Sequence, residues 1–277
     1  LPGGCVLRFR FKRVDGGRFV AALMGLTGCV LAGAGSVASA AELTADLTNY
    51  RYREEDDKGS FLMRDESKPP FIGLGIRDWD GPKTVGSFGL MYTGAAAGGR
   101  VSYHSRRSGT QKKKYYKARA EGYLAYRATD VLTPFAGLGF RFLHDDSGGH
   151  PTTNGGIGYD RQNYLLYVPF GVKAEPTENL SVKLQANALL WGMQISYLKD
   201  TSPNYQTAHN IQDKGWGVDA TVNYRFTEHW SGYTFARYWN IDRSANDCGT
   251  VTGVGYVCWW EPDNTTEEVG VGVAYRF

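Results

Sequence analysis

The chain has 277 residues, with 31 Lys and Arg against 28 Asp and Glu, 36 Gly and 14% aromatic side chains. Five of the cations and one acid fall in residues 1–41, which leaves 26 against 27 in the remainder. That near-neutral remainder gives no basis for nucleic-acid binding, and no stretch of it reaches the roughly 18 apolar residues of a membrane helix.

Residues 1–41 read as a cleaved signal peptide. Arg8, Arg10, Lys12, Arg13 and Arg18 form a basic start and an apolar run covers 19–37. Ala38-Ser39-Ala40-Ala41 then places small residues at signal-peptidase spacing, so cleavage is expected after Ala40 or Ala41. The run is about long enough for a membrane anchor, but it is rich in Gly and Ala. Leu26-Thr27-Gly28-Cys29 also resembles the box of bacterial lipoproteins, which makes lipidation of Cys29 a second exported reading. Residues 42–277 form the second unit, long enough for one barrel domain.

Alternating segments separated by turn residues predict ten strands. The first covers 42–53, where Leu43, Ala45 and Leu47 are out of phase with Tyr50 and Tyr52; a bulge is expected to repair this. Ile72, Leu74 and Ile76 mark the second strand; Phe88, Leu90 and Tyr92 mark the third. In the fourth, Ala118 to Tyr126 alternate with Lys117, Arg119, Glu121 and Arg127. The fifth alternates Pro134, Ala136, Leu138, Phe140 and Phe142 with Phe135, Gly137, Gly139 and Arg141. The sixth alternates Tyr164, Leu166, Val168, Phe170 and Val172 with Asn163, Leu165, Tyr167 and Gly171. Pro134 and Pro169 fit strand ends or bulges.

The seventh strand, 180–191, sets Leu180, Val182 and Leu184 against Ser181, Lys183 and Gln185. The eighth, 215–226, sets Trp216, Val218, Val222, Tyr224 and Phe226 against Asp219, Thr221, Asn223 and Arg225. The ninth covers 230–241, with Arg237 awkward beside Phe235 and Trp239. The tenth runs Val269-Gly270-Val271-Gly272-Val273-Ala274-Tyr275-Arg276-Phe277. One of its faces is apolar with terminal aromatics and the other is small or charged, as a strand between lipid and a polar lumen requires.

Connections alternate in length. Short ones are expected near 80–82, 129–130, 175–178 and 227–229; long ones span about 54–69, 105–114, 144–158, 192–213 and 242–264. The expected fold is therefore all-β: a transmembrane up-and-down antiparallel β-barrel of about ten strands, with eight or twelve as alternatives, short periplasmic turns and long extracellular loops. Cys248 and Cys258 share one loop and are expected to form a disulfide in an oxidising compartment.

The lumen face collects Arg77, Arg119, Glu121, Arg127, Arg141, Lys183, Asp219, Arg225, Glu268 and Arg276. Either these fill a small barrel as ion pairs or they line a narrow pore; barrels near eight strands are filled by side chains. His144, Asp145, Asp146, Asp160, His209 and Asp213 are ingredients of a rim site like that of ten-stranded outer-membrane proteases, without that family's motifs. His104-Ser105 and His229-Trp230-Ser231 are the thin basis for a lipid-modifying enzyme. Arg106, Arg107, Lys112, Lys113, Lys114 and Lys117 form a basic loop that would face lipopolysaccharide phosphates or an acidic partner, or simply water. No metal-ligand spacing or phosphate loop is present, so no cofactor and no metal are expected.

The leader, the alternating segments, the loop asymmetry and the terminal Tyr275-Arg276-Phe277 together resemble small bacterial outer-membrane β-barrel proteins of the opacity and OmpA-like, porin-type group. Val269, Val271, Val273, Tyr275 and Phe277 resemble that group's insertion signal. The resemblance implies insertion by the barrel-assembly machinery, contact with outer-membrane lipids and lipopolysaccharide, and a non-enzymatic surface role in adhesion or envelope integrity. A narrow channel for small solutes is the second expectation and an outer-membrane hydrolase the third.

Overall fold

The computed structural model describes residues 41–277. The expected signal-peptide features before Ala41, Cys29 included, lie outside the described residues. Twelve strands build one antiparallel sheet: β1 (Glu42–Glu55), β2 (Phe61–Ser67), β3 (Phe71–Asp78), β4 (Phe88–Ser105), β5 (Gly109–Tyr126), β6 (Leu132–Asp146), β7 (Arg161–Ala174), β8 (Leu180–Ser196), β9 (Ala208–Gln212), β10 (Gly215–Arg225), β11 (Trp230–Ile241) and, after a separate hairpin, β14 (Asp263–Arg276). That hairpin is β12 (Asp247–Val251) with β13 (Gly255–Trp259).

The sheet closes on itself, because β14 pairs with both β1 and β11. Two staves are broken. β2 and β3 lie end to end between β1 and β4. β9 and β10 lie end to end along β8. Counting each broken pair once gives a ten-stave, up-and-down barrel, and no α-helix occurs among the described residues. Closure removes every free strand edge.

Three sequence expectations need correction. The first strand has no bulge against its closing neighbour: Glu42 to Glu55 pair with Arg276 to Asp263 in unbroken register. Leu43 and Leu47 face out, while Tyr50 and Tyr52 are buried inside; the phase conflict vanishes because Arg51 and Arg53 face out above the apolar zone. The long loops expected at 54–69 and 105–114 are mostly strand. Residues 56–60 and 106–108 alone form those turns. The basic run is therefore split by pleating, with Lys113 and Lys117 buried and Lys112 and Lys114 exposed. A bulge does occur in β8, where Leu166 pairs Trp191 but Tyr167 pairs Leu189, so Leu190 is the extra residue.

The outer wall carries an apolar belt that includes Leu47, Ile72, Leu90, Leu184, Val222 and Val271. Aromatic rings edge it. Tyr275 lies 5.0 Å from Trp230 and 5.7 Å from Phe277 at one rim, and Trp216 lies 5.4 Å from Tyr238 at the other. From Trp216 to Phe226, ten residues of tilted strand rise roughly 25 Å, the height of an apolar bilayer band. No helix of the described residues is long and apolar enough to cross a membrane.

Inward glycines make room for rings. A Cβ on Gly217 would lie 2.7 Å from the Trp239 ring, and one on Gly99 would lie 2.6 Å from the Phe71 ring. This explains Phe235 and Trp239 beside Arg237: all three point inward, and the guanidinium sits 4.0 Å from the Phe235 ring centre.

Candidate functional site

The barrel interior is the candidate site, and it is built in three tiers. At the end where the chain makes its short turns, Arg276 reaches Glu42 and Asp80, each at 2.9 Å. Arg77 donates to Glu42 at 2.6 Å and to Asn223 at 2.6 Å, across four staves. Arg127 pairs with Glu175 in the turn. Arg225 lines a cavity of about 30 Å³ here and has no carboxylate within ion-pair distance among the described residues.

The middle tier holds two hubs that line one cavity. Arg119 bridges Glu121 at 2.6 Å and Asp219, the latter on the far wall. Gln185 donates to Glu121 at 2.7 Å and to Asp219 at 3.0 Å, and Lys183 donates to the Tyr123 hydroxyl at 2.7 Å. The second hub is Glu268, which accepts from Lys117 at 2.8 Å, Arg237 at 3.2 Å and Arg141 at 3.4 Å. A cavity of about 60 Å³ between the hubs is lined by all of these charged residues and has room for only a few waters. A further interior cavity beneath Arg161 measures about 20 Å³.

The upper tier lies above the apolar belt. Tyr50 donates to Tyr115 at 2.8 Å over the Phe71 ring. Above them Arg161 on β7 pairs with Glu54 on β1, five staves away, and with Asp145 at 3.0 Å. Lys113 lies 2.6 Å from Asp145 and 3.0 Å from Asp65. The Asp65 contact is an ion pair outside hydrogen-bonding geometry, so neither Asp65 oxygen accepts a hydrogen bond. Glu261 enters from the 242–262 loop: Gln194 donates to it and the Tyr52 hydroxyl lies 3.0 Å from it. A cavity of about 140 Å³ beside Lys113, Asp145 and Arg161 opens under the loops.

Four acids against two bases set the proton affinities of this upper tier. Burial, and then the neighbouring Glu54 charge, push the Glu261 carboxyl up to about 8. Burial likewise pushes Asp65 up to about 6, against the pull of Lys113. Burial opposes the charge on Asp145 too, but Lys113 and Arg161 outweigh it and hold that carboxyl below its ordinary value.

The structure brings most sequence-predicted lumen residues together. Arg119, Glu121, Lys183 and Asp219 share one network, Arg141 and Glu268 the other, and Arg77 and Arg276 meet at Glu42. Glu54, Asp65, Arg161 and Glu261 are lumen residues that the sequence reading does not single out, and Lys113, Asp145 and Arg237 are lumen residues that it places elsewhere. For Lys113 the signal existed, since Lys113, Tyr115, Lys117, Arg119, Glu121 and Tyr123 keep an unbroken period of two.

Of the residues expected at a protease-like rim, only the buried His144 and Asp160 come within ion-pair distance of each other. His144 and Asp145 are consecutive on a strand and face opposite sides; His144 Nε2 lies 3.9 Å from Asp160 on the outer wall, while Asp145 is in the lumen. His209 is exposed, and its backbone N–H donates to Asp247 at 2.8 Å. Among the described residues no group of three or more His, Cys, Asp and Glu could hold a metal. Cys248 and Cys258 are bonded, directly opposite each other across the β12–β13 hairpin. Val269, Val271, Val273, Tyr275 and Phe277 all lie exposed on the outer wall.

No family model and no curated protein matches the chain. Solved structures that resemble it include the outer membrane protease OmpT from Escherichia coli, at 9% identity and a TM-score of 0.48 over 86% of this chain and 96% of that one. The attachment invasion locus protein Ail of Yersinia pestis matches at 10% identity and 0.38 over 86% and 97%. Neisserial surface protein A matches at 14% and 0.33 over 86% and 98%. At such values the fold assignment rests on this chain's own strand pairings.

Proposed function

We propose that this chain is a bacterial outer-membrane surface barrel that works through its loops, in adhesion or in envelope integrity, and neither conducts solutes nor catalyses a reaction. The apolar belt with its aromatic rims supports a membrane position, with outer-membrane lipid and lipopolysaccharide as neighbours and the barrel-assembly machinery as the partner during insertion. The observation that carries the reading is the Arg141–Glu268 bridge: side chains from opposite walls meet in the middle of the lumen. With the interior below the mouth reduced to cavities of tens of Å³, and the mouth cavity of about 140 Å³ ending above them, no hydrated solute has a path. The large free surfaces are the three long excursions at 147–160, 197–207 and 242–262.

Planar-bilayer conductance of the refolded protein tests this. A silent barrel with heat-modifiable mobility is the expected result. Steady ion-selective openings would replace the reading with a narrow channel through the arginine-lined lumen.

A further inference from the structure

The residues left over after the lumen is built include a row of cations on the outer wall. Pleating sends Lys112 and Lys114 of β5 outward, and Arg100 of β4 lies directly opposite Lys114 in register. On the other side of Arg100, the Lys68 backbone N–H donates to the Arg100 carbonyl at 3.3 Å, so Lys68 extends the row across a third strand position. All four side chains are exposed.

Their neighbours elsewhere on this wall are neutralised. Arg51 is 3.3 Å from Glu66 and 3.5 Å from Glu267, and Arg53 pairs with Glu55. Lys68 leans to Glu66 at 3.6 Å. Arg100, Lys112 and Lys114 have no carboxylate within 4.0 Å among the described residues, although Asp146 follows Lys114 in register on β6. Like charges directly opposite on adjacent strands repel and are destabilising. Here the acid in register beside the pair, Asp146, makes no ion pair with Arg100 or Lys114.

The height of the row matters. Arg100 lies two residues above Gly98, and Gly98 pairs with Ile72, an exposed residue of the apolar belt. Two residues of strand are about 7 Å. The cations therefore stand just past the edge of the hydrocarbon zone, where lipid headgroup phosphates lie. Neighbouring strands are spaced about 5 Å apart, so two guanidinium or ammonium groups can reach one phosphate.

We infer that Arg100 and Lys114, flanked by Lys68 and Lys112, form a binding site for the phosphate of a lipid A headgroup seated against the outer wall. This rests on the membrane reading above and adds a specific lipid contact to it. The site reads phosphate charge at the lipid edge and needs no pocket, since the acyl chains lie along the belt below.

The test is titration of the refolded protein in detergent with diphosphoryl lipid A, with bound lipid read by native mass spectrometry. Wild type is expected to retain the lipid, and the Arg100→Gln/Lys114→Gln double variant to bind it at least about tenfold more weakly. Arg51→Gln, on the same wall but already paired, is expected to bind as wild type does. Fully dephosphorylated lipid A should bind wild type no better than it binds the double variant. Equal retention by the double variant and wild type, or equal retention of the dephosphorylated lipid, overturns the site. Complete displacement by equimolar inorganic pyrophosphate would also overturn it, because the ligand would then be a free phosphate. Failure of every variant to insert into phosphatidylcholine bilayers would instead sink the membrane reading, whereas insertion without lipid A preference sinks this inference alone.

Discussion

Arg141 Nη2 lies 3.4 Å from Glu268 Oε1, and the strands that carry them, β6 and β14, stand five staves apart on a ten-stave ring. The pair spans the full diameter. Lys117 and Arg237 converge on the same carboxylate. Glu268→Gln leaves buried Lys117 and Arg141 and half-buried Arg237 facing a neutral amide, and losing one member of a buried network costs about 3–5 kcal/mol. The expected outcome is a lower heat-modification temperature and a lower urea midpoint than wild type. Unchanged values would mean that the carboxylate is not what holds these walls together.

Loop 242–262 is expected to loosen as pH rises. Glu261 is held in the barrel mouth with its proton affinity raised to about 8. A carboxyl whose folded value exceeds its unfolded value contributes stability that is fully present below the unfolded value, near 4.5, and is lost as pH rises through the folded value. Asp65 acts in the same direction over a lower window, from 3.8 to about 6. Asp145, with its value lowered, acts oppositely and matters only in acid. Hydrogen exchange in 242–262, corrected for intrinsic rates, should therefore rise from pH 4.5 to about 8 and level off above that. Glu261→Gln should flatten that rise, and a Gln variant with the wild-type profile would show that another group titrates.

The disulfide should act locally. Cys248 and Cys258 are 10 residues apart in sequence and close only the β12–β13 hairpin. Their reduction is expected to cost that hairpin roughly 2–4 kcal/mol while the barrel, whose pairings do not include it, melts as before. Exchange in Asp247–Trp259 with and without reductant, set against heat modifiability of the whole protein, separates the two.

Gly217→Ala is expected to destabilise. Its Cβ would lie 2.7 Å from the buried Trp239 ring, and overpacking of this kind costs about 1–3 kcal/mol. Gly122 is the control, since a Cβ there meets nothing within 4 Å. Equal urea midpoints for the two Ala variants would mean that the ring has room to move.

The parts of the barrel legible in the sequence are those whose outer face touches the apolar belt. There one face must be apolar, so Val218 and Val222 against Asp219 and Thr221 show the period at once. Above the belt that contrast is gone. Arg51 and Arg53 face out while Glu54 faces in, and Lys112 and Lys114 face out while Lys113 faces in, so both faces are polar. This is why β2 and the top of β5 read as loops and why the Lys113–Arg161 cluster was missed. Leu190 and Trp191 hid their bulge for the converse reason, both being apolar. Glu261 comes from a loop and belongs to no period.

The position of Glu268 on the closing stave ties assembly to charge. Lys117 and Arg141 sit on β5 and β6, across the lumen from the closing stave. Completing the ring carries the carboxylate across to them. A ring of eight staves would crowd these side chains and one of twelve would leave them short of each other, since diameter grows with stave number. The circumference of the cylinder is thus gauged from within, by the reach of one arginine toward one glutamate.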